Sequence, residues 1–147
     1  MSYKVRNATL DDIAWLLTQV KKFSDFYGTG KSLYSETAPE TLKFLIENHI
    51  VFICDKGQAP VGLIVGLLNA HLFNPEIKVL TELLWWVDEE HRNGRAGLML
   101  LNEFVKFGKE QADWITMSLV SNSNLNPKTL GKFGFKAVES SYLLEVN

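Results

Sequence analysis

Two arginines flank a glycine where a hydrophobic segment gives way to a helical pattern, and this arrangement could bind an anion. Arg92 and Arg95 lie on either side of Gly94, and a leucine-rich run follows at once. A helix N-terminus carries partial positive charge, so arginine there is unfavourable by about 1 kcal/mol or less. A phosphate bound to the free N–H groups of the first turn would reverse that sign. We therefore predict a phosphate site, the alternative being arginines that are solvated or paired with the acidic residues at 88–90.

A single carboxylate interrupts the hydrophobic segment that precedes this loop. Glu82 is the only ionisable residue between Val79 and Val87. Burial raises the pKa of a carboxyl group towards neutrality, which suits a general base. A lysine-like amine has a pKa of about 10.4 and is mostly protonated at pH 7, so a base would help it attack an acyl group. The alternative for Glu82 is a strand-end glutamate that faces solvent or pairs with an arginine.

Hydrophobic periodicity predicts the elements that position these residues. Thr9 and Asp12 have the spacing of a capping box, with Asp in place of the preferred Glu. The predicted helices are 10–24, one that starts at Thr37 or Ala38, 95–112 and PKTLGKF; the predicted strands are 3–8, 50–54, 60–68, 79–87, 114–120, KAVES and YLLEV. The strand–helix–strand unit between 79 and 120 favours a parallel pair with a right-handed crossover. The order predicts one α+β domain over 1–147, built around a mixed sheet.

Composition narrows the class of protein. The chain has 147 residues, and its 22% charged and 46% hydrophobic content indicates a globular protein rather than a disordered one. A net charge of −2 gives no basic field for nucleic acid or anionic lipid. Cys54 is the only cysteine, so an intrachain disulfide and a multi-cysteine zinc site are excluded. We expect a cytoplasmic protein without a metal, since no signal peptide or membrane-spanning run is evident.

Three segments together resemble the GCN5-related N-acetyltransferase superfamily, and most of all its short phage-type members. VRNATLDDIAWLL resembles the opening strand and first helix, WWVDEEHRNGRAGLMLL the acyl-CoA-binding segment, and LGKFGFKAVE the late helix with its Gly-Phe ending. The resemblance implies an acyl-CoA N-acyltransferase fold. Its sheet would be mixed and mostly antiparallel, with a central parallel pair formed by the fourth and fifth strands and helices on both faces.

The resemblance also implies an activity and a cosubstrate. The chain would transfer the acetyl group of acetyl-CoA to a primary amine by direct attack, with Glu82 as the catalytic base and a backbone N–H near Trp86 or Val87 facing the oxyanion. The acceptor would be a small-molecule amine or a peptide or protein amine, and a homodimer is possible. The residues implied to bind acetyl-CoA are Trp85, Trp86, Val87, Arg92, Asn93, Gly94, Arg95, Ala96, Gly97, Leu98 and Asn124.

Two positions depart from the family pattern. Aligned on Leu100, the loop has Arg95 where the first glycine is usual; a register through His91 and Gly94 recovers the glycine but loses the leading arginine. Leu130 stands where the family often has a tyrosine that protonates the departing thiolate. These departures favour the alternative function, a non-catalytic module of the same fold that binds acyl-CoA or a protein partner.

Overall fold

The computed structural model describes residues 2–121, 123 and 125–147. The elements in this part are β1 (Tyr3–Asn7), α1 (Ile13–Tyr27), α2 (Ala38–Asn48), β2 (Ile50–Lys56), β3 (Ala59–Ala70), β4 (Lys78–Val87), α3 (Ala96–Gln111), β5 (Trp114–Thr116) and α4 (Lys128–Lys132). One-turn 3-10 helices precede α1 (Leu10–Asp12) and α3 (Glu89–His91). The predicted capping box is confirmed, because the Thr9 N–H donates to Asp12 Oδ2 at 2.7 Å.

The five strands form one sheet in the order β1-β2-β3-β4-β5. Adjacent strands from β1 to β4 are antiparallel, and β5 pairs parallel with β4 from Val79↔Trp114 to Thr81↔Thr116. The predicted mixed, mostly antiparallel sheet with a parallel fourth and fifth strand is therefore confirmed. In the described residues this parallel pair lies at the edge of the sheet rather than at its centre, because β5 has no further neighbour.

The C-terminal segment differs from the prediction. The strands predicted in KAVES and YLLEV are not formed, and the strand predicted over 114–120 ends at Thr116. Side chains that the predicted strands would have packed are exposed: Val138 by 75%, Tyr142 by 95% and Leu144 by 83%. A short strand that gains neither a ladder partner nor apolar burial does not offset the entropy of ordering its backbone. The sequence has the alternating pattern of a strand, but among the described residues no strand pairs with this segment.

Helices cover both faces of the sheet, as predicted. On one face Leu100 and Phe104 of α3 pack on inward residues of the strands, including Ile64 and Leu80. On the other face α1 and α2 contribute Leu16, Leu42 and Leu45, packed against Val51, Ile53, Leu63 and Val65. The two tryptophans of β4 divide between the faces, with Trp85 on the α3 side and Trp86 on the α1 side. Strand β4 is thus packed on both faces, which keeps the backbone of its C-terminal half in place.

Residues 2–121, 123 and 125–147 contain neither a membrane-spanning helix nor a cluster of metal ligands. No helix among them is both long enough and apolar enough to cross a bilayer. No group of three or more His, Cys, Asp or Glu side chains in that part of the chain could hold a metal ion.

Candidate active site

The β4–β5 pair opens into a fork. The parallel ladder ends at Thr81↔Thr116, whereas β4 continues to Val87 and remains paired with β3 along its other edge. In the described residues, the β4 edge beyond the ladder has no strand beside it. We call the part of this edge formed by the backbone of Trp85 and Val87 the open edge.

Glu82 lies at the point where the strands separate. Two residues beyond Thr116, a regular parallel ladder would pair the Ser118 N–H with the backbone carbonyl of Glu82. That N–H instead donates to Glu82 Oε1 at 3.0 Å. The carboxylate thus takes the place of the next ladder acceptor, and β5 turns away from β4.

The surroundings of Glu82 shift its ionisation. Burial raises the pKa of its carboxyl group to about 7, against a partial lowering by the Ser118 N–H. The direction of this shift is the one expected from a carboxylate in an apolar strand, and its size places ionisation near neutral pH. A carboxylate poised in this range can accept a proton under physiological conditions.

A β-bulge sets which side chains of β4 face α3. Val65 pairs with Leu84 while Gly66 pairs with Glu82, so Leu83 is the extra residue. An extra residue reverses the alternation of side chains beyond it. Leu80 and Trp85, five positions apart, consequently pack on the same α3 face. Without the bulge Trp86 would face α3 and Trp85 would face α1.

Hydrogen bonding to β3 shows which backbone groups the open edge presents. The Asp88 N–H donates to the Val61 carbonyl at 2.8 Å, and Gly62 is opposite Val87. Antiparallel pairs alternate between bonded and non-bonded, so the N–H and C=O of Val87 and of Trp85 point away from β3. The Trp86 backbone points towards β3. The resemblance implies a backbone N–H near Trp86 or Val87 as the oxyanion donor. Of these two, only the Val87 N–H lies on the open edge. The Trp85 N–H lies on the same edge.

The first turn of α3 begins beside this edge without a cap. Arg95 precedes the helix and its side chain makes no capping bond. The first helical bond runs from the Met99 N–H to the Arg95 carbonyl at 3.0 Å. Among the described residues, the backbone N–H groups of Ala96, Gly97 and Leu98 donate to no acceptor. Ala96 itself is fully buried, so the unbonded donors accessible at the positive end of this 16-residue helix are the N–H groups of the partly exposed Gly97 and the exposed Leu98.

Trp85 fastens this turn to β4. Its Nε1–H donates to the Gly97 carbonyl at 3.2 Å. Gly94, earlier in the loop, lies so close to β1 that a Cβ atom there would be 2.6 Å from the Tyr3 hydroxyl oxygen. A larger residue at Gly94 would thus displace the end of the Tyr3 side chain, while the tryptophan links the helix end to β4.

The two arginines have different environments. Arg95 is exposed and lines a cavity of about 400 Å³ with other residues of α3 and with Phe133. Arg92 donates from Nε to the Val87 carbonyl at 2.7 Å, and its guanidinium carbon lies 4.3 Å from the centre of the Trp86 ring. Neither arginine pairs with an acidic residue in the described part of the chain, and Asp88 bonds to Lys22 instead. The structure thus does not show the acidic pairing considered as an alternative.

Two further residues are predicted from the sequence to bind CoA. Asn124 lies outside the described residues. Asn93 is exposed in the loop before α3 and has no hydrogen bond from its side chain among the described residues. Leu130, at the expected tyrosine position, lies in α4 and has no proton to donate.

Replacing Trp85 with Phe tests how the helix end is fastened. We expect the free energy of unfolding in urea to fall by about 1 kcal/mol more than in Trp86→Phe, because Trp85 loses a hydrogen bond to Gly97. Trp86→Phe is the matched control, since its buried Nε1 has no partner among the described residues. Equal losses in the two variants would show that the Trp85 bond contributes nothing to stability.

Comparisons with known proteins bear on the fold. No protein-family model matches the chain, and no curated protein matches it. Solved structures do match over nearly the full length. A transcriptional regulator from Bacillus halodurans C-125 is 13% identical, with a TM-score of 0.80 over 98% of this chain and 99% of the other. Ribosomal-protein-alanine N-acetyltransferase from Brucella melitensis biovar Abortus 2308 is 11% identical, with a TM-score of 0.79 over 100% and 99%.

A third matching structure was determined with acetyl-CoA. A predicted acetyltransferase with acetyl-CoA from Clostridium acetobutylicum is 14% identical to this chain, with a TM-score of 0.74 over 99% of this chain and 97% of the other. At these identities the likeness concerns the fold. The chain has the fold of the GCN5-related N-acetyltransferases, as its sequence predicted, while the resemblance to phage-type members stays a prediction.

Proposed function

We propose that the chain is an N-acyltransferase that transfers the acetyl group of acetyl-CoA to a primary amine by direct attack. The proposal rests on three features along the C-terminal half of β4 and the start of α3. The Glu82 carboxylate, the open edge and the uncapped turn of α3 follow one another within the segment Glu82–Leu98, and the Trp85 side chain bonds β4 to that turn. Their fold is the one shared with the named acetyltransferases.

The first turn of α3 and the open edge suit the two halves of CoA. The unbonded N–H groups of Gly97 and Leu98 could bind a pyrophosphate, and Arg95 supplies a cation beside them. The pantetheine arm contains amide groups, as a peptide does, and can pair with the backbone of Trp85 and Val87 in the manner of an added strand. Packing of helices on both faces of β4 keeps this edge in place.

Each remaining step is assigned to a residue at the fork. Acetyl-CoA supplies a thioester, whose carbonyl carbon the amine nitrogen attacks. Glu82 accepts the proton that the amine releases, through a water molecule. The Trp85 N–H faces the carbonyl oxygen as negative charge develops there. It lies about 10 Å along the strand from Glu82, whereas the Val87 N–H lies about 17 Å away, which favours Trp85.

The bond changes balance without a further protein acid. A C–N bond forms, the C–S bond breaks, and CoA leaves as a thiolate that takes its proton from solvent, because Leu130 cannot provide one. Solvent protonation is sufficient, since a thiol has a pKa of about 8.5 and its conjugate base is a good leaving group at neutral pH.

Thermal unfolding with and without acetyl-CoA tests the binding part of the proposal. Ligand at about a hundred times its dissociation constant should add about 2.7 kcal/mol, which is several degrees for a domain of this size. Arg95→Glu should abolish the shift. Since an acidic residue at a helix N-terminus favours the helix itself, that loss would not come from unfolding.

Lys106→Glu is the matched control, because it makes the same charge change at an exposed position of the same helix. It should keep the shift, and adenosine should give none. Absence of a shift in the wild-type protein would contradict the proposal.

A non-catalytic module that binds acyl-CoA or a protein partner is the second candidate. The observation in its favour is Leu130, which leaves α4 without the usual acid. Release of CoA that depends on an added amine separates the two candidates, because a binding module would give none. The acceptor, whether a small amine or a peptide or protein amine, would be identified in the same assay.

A further inference from the structure

We infer that Arg92 makes acyl-donor binding depend on phosphate, because its guanidinium occupies the open edge until a phosphate draws it away. The inference rests on the proposed function and assigns a specificity-determining role within it. Arg92 would disfavour donors that have a pantetheine arm without phosphates and favour complete acyl-CoA.

The first step is the contact with Val87. Arg92 Nε donates to the Val87 carbonyl at 2.7 Å, and that carbonyl points away from β3 into the open edge. An amide N–H of the pantetheine arm would need the same acceptor. A hydrogen bond from a guanidinium is roughly twice as strong as one from a neutral amide, so a phosphate-free arm competes poorly for it.

Aromatic rings hold the Arg92 guanidinium in this position. Its carbon lies 4.3 Å from the centre of the Trp86 ring and 5.7 Å from that of Phe26. Phe23 packs edge-on against the same Trp86 ring at 5.9 Å and fixes its position. Aromatic faces of this kind attract a guanidinium. The resting position of Arg92 is therefore defined by residues of α1 and β4 together.

A bound phosphate would release the Arg92 guanidinium from this position. Among residues 2–121, 123 and 125–147, the contacts of the Arg92 guanidinium are with a carbonyl and aromatic rings, and no carboxylate there pairs with it. A phosphate at the first turn of α3, four residues along the chain, offers a bidentate ionic partner. Binding of the phosphate would free the Val87 carbonyl for the pantetheine amide. The two halves of the donor would then bind cooperatively through one side chain.

Two donors that share the S-acetylpantetheine arm, of which only acetyl-CoA carries the phosphates and the adenosine, test this coupling. We would measure dissociation constants of acetyl-CoA and S-acetylpantetheine by calorimetry for the wild type and for Arg92→Ala. We expect acetyl-CoA to bind about tenfold more weakly and S-acetylpantetheine about tenfold more tightly, which is an opposite change for the two ligands. Arg92→Met, which keeps much of the apolar stem over Trp86, should give the same opposite changes if Arg92→Ala folds poorly.

Two further variants separate this role from a simple loss of charge. Arg95→Ala should weaken acetyl-CoA without tightening S-acetylpantetheine, and Lys106→Ala should change neither. Weaker or unaltered binding of S-acetylpantetheine in both Arg92 variants would overturn the inference while leaving the proposed function in place. No binding of acetyl-CoA by the wild-type protein would overturn both.

Discussion

Replacing Glu82 with Gln is expected to lower the kcat/KM for amine acetylation at least about a hundredfold at pH 7, the usual lower range for loss of a general base. Glutamine has nearly the same shape as glutamate but accepts no proton from the attacking amine. Its Oε1 can still accept the Ser118 N–H, so the fork should stay open and the loss should be chemical.

The pH profile gives this prediction its signature. Because the Glu82 pKa is about 7, the wild-type base is protonated below that pH and active above it. The wild-type kcat/KM should therefore rise with an inflection near pH 7, and Glu82→Gln should lack that inflection. Glu90→Gln is the matched control, since Glu90 is exposed beyond the end of β4. Unchanged kinetics of Glu82→Gln from pH 6 to 9 would exclude Glu82 as the base.

Glu82→Gln should lower activity but raise stability, relative to the wild type, as pH rises. The pKa of Glu82 is raised from 4.5 when unfolded to about 7 when folded. The stability that its protonated form contributes is complete below about pH 4.5 and is lost as pH rises through about 7. A shift of this size corresponds to about 3 kcal/mol, and glutamine, which does not titrate, escapes the loss.

Urea unfolding of both proteins at pH 4.5 and pH 8.5 measures this effect. The free energy of unfolding of Glu82→Gln minus that of wild type should be about 3 kcal/mol more positive at pH 8.5 than at pH 4.5. Other titrating groups are common to both proteins and cancel in the difference. A difference independent of pH would show that Glu82 is neither desolvated nor shifted. Greater stability together with lower activity is the pattern of a residue retained for function.

Much of this site follows from local pattern in the sequence. The apolar run of β4 ends at Val87 and the leucine spacing of α3 begins at Ala96, so both ends of the site were predictable from periodicity. The burial of Glu82 was predictable for the same reason, because every flanking position within that run lacks a charge. Such features depend on neighbours in the chain.

Other features depend on residues far apart in the chain and could not be predicted. The bulge at Leu83 is defined only by register with β3, and it decides which tryptophan faces α3. The position of Arg92 depends on aromatic residues of α1, more than sixty positions earlier. The alternation in residues 136–146 predicts strands, but alternation does not reveal whether an edge is available to pair with them.

Acetyl transfer itself is the most direct test of the central claim. Acetyl-CoA would be incubated with the protein and a panel of primary amines, including polyamines, amino sugars and peptides with free N-termini. Free thiol and acetylated amine would both be quantified. We expect at least one amine to give equal amounts of CoA and N-acetylated product, at a rate that saturates with amine and falls sharply in Glu82→Gln. Tight binding of acetyl-CoA with no N-acetylated product from any amine would contradict it, and would leave a binding module on an acetyltransferase fold.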